Sequence, residues 1–190
     1  MPFDALHYIN AVWTLVGIYW IAGIMRAKRT VKRESLLSST LHVVMGCAAV
    51  LLVWDPATGI GFFNRRLISA APWVQGLGLA ATIGGCAFAI WARARLGSNW
   101  SAMVTVKHHH ELIVRGPYAV VRHPIYSGFL LALAGTAIAV GEIRGFIGLG
   151  IAFITFFLKS AAEERFMREK FSDEYARYSQ RVRRLIPFIL

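Results

Sequence analysis

Acidic residues are scarce in this sequence: ten Asp and Glu stand against 21 Lys and Arg over 190 residues. Charge of either sign is thin. It makes up 16% of the chain, where soluble domains carry about 25%. Cysteine is nearly absent, and Cys47 and Cys86 both fall in apolar stretches with no CxxC partner. That argues against a disulfide framework or a zinc site and predicts two buried apolar thiols. No basic region precedes the first apolar stretch, so a cleavable signal peptide is not expected. What is abundant is hydrophobic: 56% of residues, with a mean hydropathy of +0.52. Such a chain uses lipid as part of its solvent.

The apolar residues group into runs. The first covers about Leu6 to Met25 and stops at the basic run Arg26, Lys28, Arg29, Lys32, Arg33. The second covers Leu36 to Trp54 and closes at the turn signal Asp55-Pro56. A third covers about Pro72 to Trp91, and a long polar stretch follows from Arg93 to His123. Two shorter runs, Pro124 to Val140 and Gly145 to Leu158, are joined by Gly141-Glu142-Ile143-Arg144. Both are marginal against a hydrocarbon core of about 30 Å. They read as a tight helical hairpin whose second helix continues as a charged segment from Lys159 to about Gln180. The expected fold is therefore all-α: a single membrane domain of about five transmembrane helices, ending in a cytosolic amphipathic helix.

Basic residues set the orientation. Five lie in 26–33, five between Arg93 and Arg122, and eight from Lys159 to Arg184, which leaves Arg65, Arg66 and Arg144 for the other side. The N-terminus is expected outside and the C-terminus in the cytosol, in the cell (inner) membrane. The net charge of +11 then faces anionic membrane lipids, at about 1 kcal/mol per interfacial cation, and needs no nucleic-acid partner. Arg177, Arg181, Arg183 and Arg184, followed by Leu185-Ile186-Pro187-Phe188, look like an interfacial anchor.

Two polar clusters fall on that cytosolic side. One runs from His110-Glu111-Leu112-Ile113 through Arg115-Gly116-Pro117-Tyr118 to Arg122-His123-Pro124-Ile125-Tyr126. A residue before proline leaves the helical region, so His123 should be extended while Pro124 opens a helix. Arg122 and His123 then stand at a helix mouth whose free N–H groups attract anions. The other cluster is Lys159 with Glu163-Glu164-Arg165. Lys159 and Glu163 share a helix face, whereas the two glutamates point about 100° apart and should not both meet one ligand closely. One carboxylate could pair with Arg122 or a bound cation, and the other with solvent or Arg168. The run His108-His109-His110 has no acidic partner at ligand spacing, and no metal is expected.

These motifs, with Leu96-Gly97-Ser98-Asn99-Trp100-Ser101 before them and Phe171-Ser172-Asp173-Glu174-Tyr175 after, resemble the isoprenylcysteine carboxyl methyltransferases and their prokaryotic relatives. Phospholipid N-methyltransferases stand further out. The resemblance covers roughly residues 95 to 188. It implies three spans over 1–92 and a catalytic half over 93–190 that binds S-adenosylmethionine (SAM) in a cytosol-facing pocket. By motif, His110, Glu111, Leu112, Ile113 and Tyr118 would line that pocket. His123, Pro124, Ile125 and Tyr126 would hold the cofactor at the helix mouth, and Glu163 would complete it. Thr105 stands nearest to a glutamine of the family. Lys159 stands where eukaryotic members have a substrate-contacting arginine, which keeps the charge but loses bidentate recognition.

The implied activity is SAM-dependent methyl transfer to a lipophilic or prenylated acceptor that enters from the bilayer. In-line displacement at a sulfonium needs alignment and exclusion of water more than acid or base help. A carboxylate acceptor is already ionised and would need only a cation, Lys159 or Arg122. An amine would need a base, Glu163 or His123. Rival readings are a phospholipid N-methyltransferase, a sterol-reductase-like NADPH enzyme, and a non-catalytic membrane scaffold.

Overall fold

A computed structural model describes residues 4–24, 30–33, 36–54, 61–97, 105–107 and 112–190. Five helices carry the architecture: α1 (Ala5–Ile24), α2 (Leu36–Trp54), α3 (Pro72–Leu96), α4 (Pro124–Val140) and α5 (Ile143–Arg181). α1, α3 and α5 are long and apolar enough to cross a membrane; α4 and the Thr40–Trp54 part of α2 are apolar but shorter. Large apolar side chains point outward, among them Leu15, Ile21, Trp73 and Leu77, each at least 60% exposed. A helix that is hydrophobic on its outer face is built for lipid. Cys86 is buried as expected, but Cys47 lies on an exposed face.

The helix limits match the apolar runs most closely where punctuation is strong. α2 and α4 coincide with their runs, and α4 closes on Gly141 at φ +71. α3 runs five residues past Trp91, so Arg93 and Arg95 belong to a helix and not to the polar stretch. The reason is a partner. Arg93 reaches the end of α1, donating to the carbonyls of Tyr19 (3.2 Å) and Trp20 (3.4 Å) and lying over both rings. A cation near the C-terminal end of a helix meets the negative end of its dipole, and carbonyls there can accept a further hydrogen bond from it. The chain also forms a pairing that the apolar pattern did not show: β1 (Thr30–Arg33) lies antiparallel to β2 (Thr105–Lys107).

α3 and α4 make the closest contact. A Cβ on Gly85 would lie 2.4 Å from the Ala132 nitrogen, and one on Gly135 would lie 2.5 Å from the Gly78 carbonyl. Gly78 and Gly85, like Gly128 and Gly135, are seven residues apart, so each pair lies on one helix stripe. Small residues let membrane helices pack backbone to backbone. Between the glycines, Thr82 and Thr136 place their hydroxyls 3.3 Å apart, and Trp13 of α1 donates to Thr136.

α5 departs from a straight charged helix at Ser172, whose φ of 38° and ψ of −111° interrupt it. The sequence reading expected continuity to about Gln180. Beyond the break, Tyr175 and Tyr178 are buried, and Tyr178 donates to the Tyr118 carbonyl at 2.6 Å. Burying those two rings requires the helix to turn. The tail then runs beside the start of α4: the amides of Arg122 and His123 donate to the carbonyls of Arg183 (2.7 Å) and Arg184 (3.0 Å).

Candidate active site

The mouth of α4 is shaped by three local preferences. Gly116, at φ +65, opens a short 3-10 turn over Gly116–Ala119. Pro124 occupies the first helical position, where a missing N–H costs nothing. His123 before it adopts φ −121 and ψ 62, outside the helical region. The side chains of Arg122 and His123 are thereby aimed at α5.

His123 meets both neighbouring glutamates. Its Nδ1 lies 3.3 Å from Glu163 Oε2 and its Nε2 lies 3.4 Å from Glu164 Oε1. The two carboxylates, which were expected to point too far apart to meet one group closely, both reach this ring because each takes a different edge of it. Only the doubly protonated imidazole donates from both nitrogens. Burial works against that cation, but the hydrogen bonds to Glu163 and Glu164 outweigh it and raise the His123 pKa.

From His123 the two carboxylates part. Glu163 accepts from the Tyr126 hydroxyl at 2.5 Å and keeps 24% of its side chain exposed. Tyr126 stacks on His123 (5.7 Å) and on Phe156 (4.9 Å), both within 6° of parallel, and Lys159 Nζ lies 5.7 Å over its ring. Glu164 turns inward to 2% exposure. Arg122 (2.8 Å), Arg184 (3.1 Å) and Arg168 (3.5 Å) surround it. Burial alone would raise its pKa; the His123 hydrogen bond and the Arg122 charge instead hold it at about 2. Glu163 is lowered too: burial opposes the shift, and the His123 contact and Lys159 overcome it. The alternatives left open for the pair thus resolve onto one residue, since Glu164 takes both Arg122 and Arg168.

The other residues singled out from the sequence lie as follows. Ile113, Tyr118, Ile125 and Tyr126 pack in one cluster around Ala92, with Trp20 and Phe129. Pro124 is fully buried, and Leu112 is half-buried. Thr105 opens β2, though its side chain lies outside the described atoms, and His110 and Glu111 lie outside the described residues. Arg122 gives its donors to Glu164 and to the carbonyls of Ser179 and Val182. Sequence reasoning gave neither Arg184, read as part of an interfacial anchor, nor Ser127 a role in the site, and the structure has Ser127 donating to the Leu185 carbonyl.

One ring below this cluster an apolar cavity of about 660 Å³ opens between α1, α2, α4 and α5. Trp13, Trp54, Phe129, Leu133, Ala152 and Phe156 line it, with Asn10, Thr14 and Thr155 as polar points. Phe156 belongs to both places, touching Tyr126 on one side and the cavity on the other. A charged mouth is therefore joined by stacked aromatics to a lipophilic chamber.

Comparison with known proteins gives this geometry a setting. A rice protein, described as a probable protein-S-isoprenylcysteine O-methyltransferase, is 29% identical over 174 residues, covering 90% of this chain and 88% of its own. Protein-S-isoprenylcysteine O-methyltransferase B of Arabidopsis thaliana is also 29% identical, over 62% of this chain and 61% of its own. Methanethiol S-methyltransferase 1 of Bradyrhizobium diazoefficiens shares 40% over 72 residues, 24% of its length. The profile of the phospholipid methyltransferase family matches residues 73–174, which hold α3, α4, the Lys159–Glu164 segment and the Ser172 break. With more than half of its length matched, the chain belongs to the phospholipid methyltransferase family, a group of membrane methyltransferases.

Proposed function

We propose that the protein transfers a methyl group from SAM to an ionised oxygen, a carboxylate, on a lipophilic acceptor whose tail occupies the cavity. The observation that carries this reading is Phe156, which places a chamber of about 660 Å³ next to Tyr126 and Glu163. That volume lies within the usual range of roughly 300–1,000 Å³ for pockets that enclose sizeable ligands. An acceptor of two heavy atoms would leave most of it empty.

The residues present suit a sulfonium nucleoside. Glu163 offers a partly open carboxylate to a cationic or hydroxyl-bearing ligand, and the cluster of Ile113, Tyr118, Ile125 and Tyr126 offers an apolar, aromatic wall. When bound, SAM supplies an activated methyl group that already carries its leaving group. The chain's own part is to align, to neutralise and to exclude water. His123 fixes the Glu163 carboxylate, and Tyr126 fixes its other oxygen. Lys159, over the Tyr126 ring, is the cation placed to draw an anionic acceptor towards that spot. An ionised carboxylate needs no base at neutral pH. His123, already sharing both ring protons, is poorly suited to deprotonate an amine, which disfavours N-methylation. The orientation that goes with this reading puts the mouth of α4 in the cytosol of a cell membrane, with the N-terminus outside.

Two measurements test the proposal. Calorimetry in nanodiscs should show SAM and its demethylated product binding, and NADPH not binding. Membranes incubated with methyl-labelled SAM should yield label in an apolar fraction that mild alkali releases as methanol, as it does from methyl esters. Alkali-stable label in phospholipid would overturn carboxylate methylation, and failure to bind SAM would overturn the reading as a whole.

A further inference from the structure

Glu164 is less exposed than Glu163 and far more heavily engaged. Four cationic groups reach it from three parts of the chain: Arg122 and His123 at the mouth of α4, Arg168 on α5, and Arg184 in the tail. The same tail is stitched to that mouth by backbone. Arg122 and His123 donate to the carbonyls of Arg183 and Arg184, Ser127 donates to that of Leu185, and Arg122 Nη1 donates to those of Ser179 and Val182. Leu185 is 1% exposed beneath these contacts. Without the carboxylate, Arg122 and Arg184 would lose their common anion and be left beside each other as like charges.

We propose that Glu164 is a positioning residue: its carboxylate latches residues 182–190 onto the mouth of α4 and, through His123, sets the Glu163 carboxylate. The proposal rests on the methyltransferase reading only for what Glu163 then binds. The latch itself is independent of any cofactor. Lys159 and Tyr126 also face Glu163, and Tyr175 and Tyr178 stand close enough to feel Glu164. Glu164 is the group that joins tail, helix mouth and histidine at one point.

E164Q keeps the shape and one acceptor oxygen while removing the charge; E164D keeps the charge on a shorter stem. Hydrogen exchange at the Arg122 and His123 amides, which donate to the tail, should quicken in nanodiscs and without cofactor by about tenfold or more in E164Q, the scale of one charged hydrogen bond. E164D should restore part of the protection. SAM affinity measured against pH supplies the second readout. With one carboxylate gone, the His123 cation is held less firmly, so the decline in affinity on raising pH should begin at lower pH in E164Q. Simple loss of fold would lower affinity equally at every pH. R184Q, which cuts the tail's side of the contact, carries the exchange test if E164Q does not fold. Unchanged exchange in both variants, or a pH midpoint identical to the parent protein's, overturns the latch. If exchange quickens but the parent protein does not bind SAM, the latch stands and the methyltransferase reading falls. SAM binding with an unmoved tail gives the reverse.

Discussion

Both ends of the helix bundle bury an arginine, and they use it differently. At the end away from the α4 mouth, Arg144 donates to the carbonyls of Leu52 (2.9 Å) and Val53 (3.1 Å) and to Glu142 (2.7 Å). One cation meets one carboxylate and a helix end, and the arrangement closes on itself. At the α4 mouth, Arg122, Arg184 and Arg168 crowd onto Glu164, while Glu163 beside it shares His123 and stays partly open. The first pattern is what a membrane helix needs to finish without orphaned carbonyls. The second exceeds that need. Cations gather on one buried carboxylate while its neighbour stays partly open, which is the arrangement that the proposed methyltransferase reading uses.

The sharpest break of this comparison lies in Glu163 and His123. Glu163→Ala and His123→Ala should each weaken SAM binding by roughly a hundredfold, the upper range for a lost charge-assisted contact. Calorimetry in detergent measures it, and unchanged affinity in both would dismantle the pocket. Arg144→Met should do the reverse. It strands two carbonyls and Glu142, costing about 3 kcal/mol of stability as a broken buried pair does, and should lower the melting temperature while folded protein binds SAM with parental affinity. A loss of SAM affinity greater than the loss of folded protein would erase the distinction between the two ends.

Neighbouring glycines refine the same contrast between closed scaffold and open site. Gly85 meets the Ala132 nitrogen at 2.4 Å from an added Cβ, whereas Gly84 meets nothing within 4 Å. Gly85→Ala should force α3 from α4 and cost about 2 kcal/mol, typical of overpacking. Gly84→Ala should be neutral or slightly stabilising, because helix propensity improves. Thermal melts of the pair settle the point, and equal losses would mean that the helices do not touch along the glycine stripe.

How much of this was legible depended on whether a residue's role was local. Pro124 and Gly141 act on their own backbone, and Asp55-Pro56 is a turn signal in the sequence, so α2 and α4 could be bounded from it. The helical start at Pro124 likewise predicted that Arg122 and His123 would stand at a mouth, and the Lys159–Glu163 spacing predicted a shared face. Ser172 gave no warning. Phe171-Ser172-Asp173 contains neither proline nor glycine, and the break follows from burying Tyr175 and Tyr178 against a distant turn. Arg93 falls into the polar stretch on sequence alone, because the carbonyl partners that keep it in α3 belong to another helix. Glu164 was legible only in part: its spacing pointed to Arg168, four residues on, whereas Arg122, His123 and Arg184 come from other segments that no spacing connects to it.

The smallest expected effect concerns pH, and its sign differs on the two sides of neutrality. His123 carries a raised pKa in the folded protein, so the stability it contributes is complete below the unfolded value of about 6.5 and is lost as pH rises through the folded value. Glu164 is lowered to about 2, so its contribution is complete above the ordinary carboxylate range of about 4.5 and fades as pH falls towards about 2. Melting temperature should therefore form a plateau between about pH 5 and 6.5 and fall on both sides. On the alkaline side the loss should amount to roughly 1 kcal/mol for each unit by which the histidine is raised. His123→Asn should flatten that alkaline decline and weaken the acid one without abolishing it, because Arg122 and Arg184 still hold Glu164. If the variant instead keeps the alkaline fall, the second ring proton of His123 is not what the α4 mouth loses, and the surplus of cations at this end has another purpose.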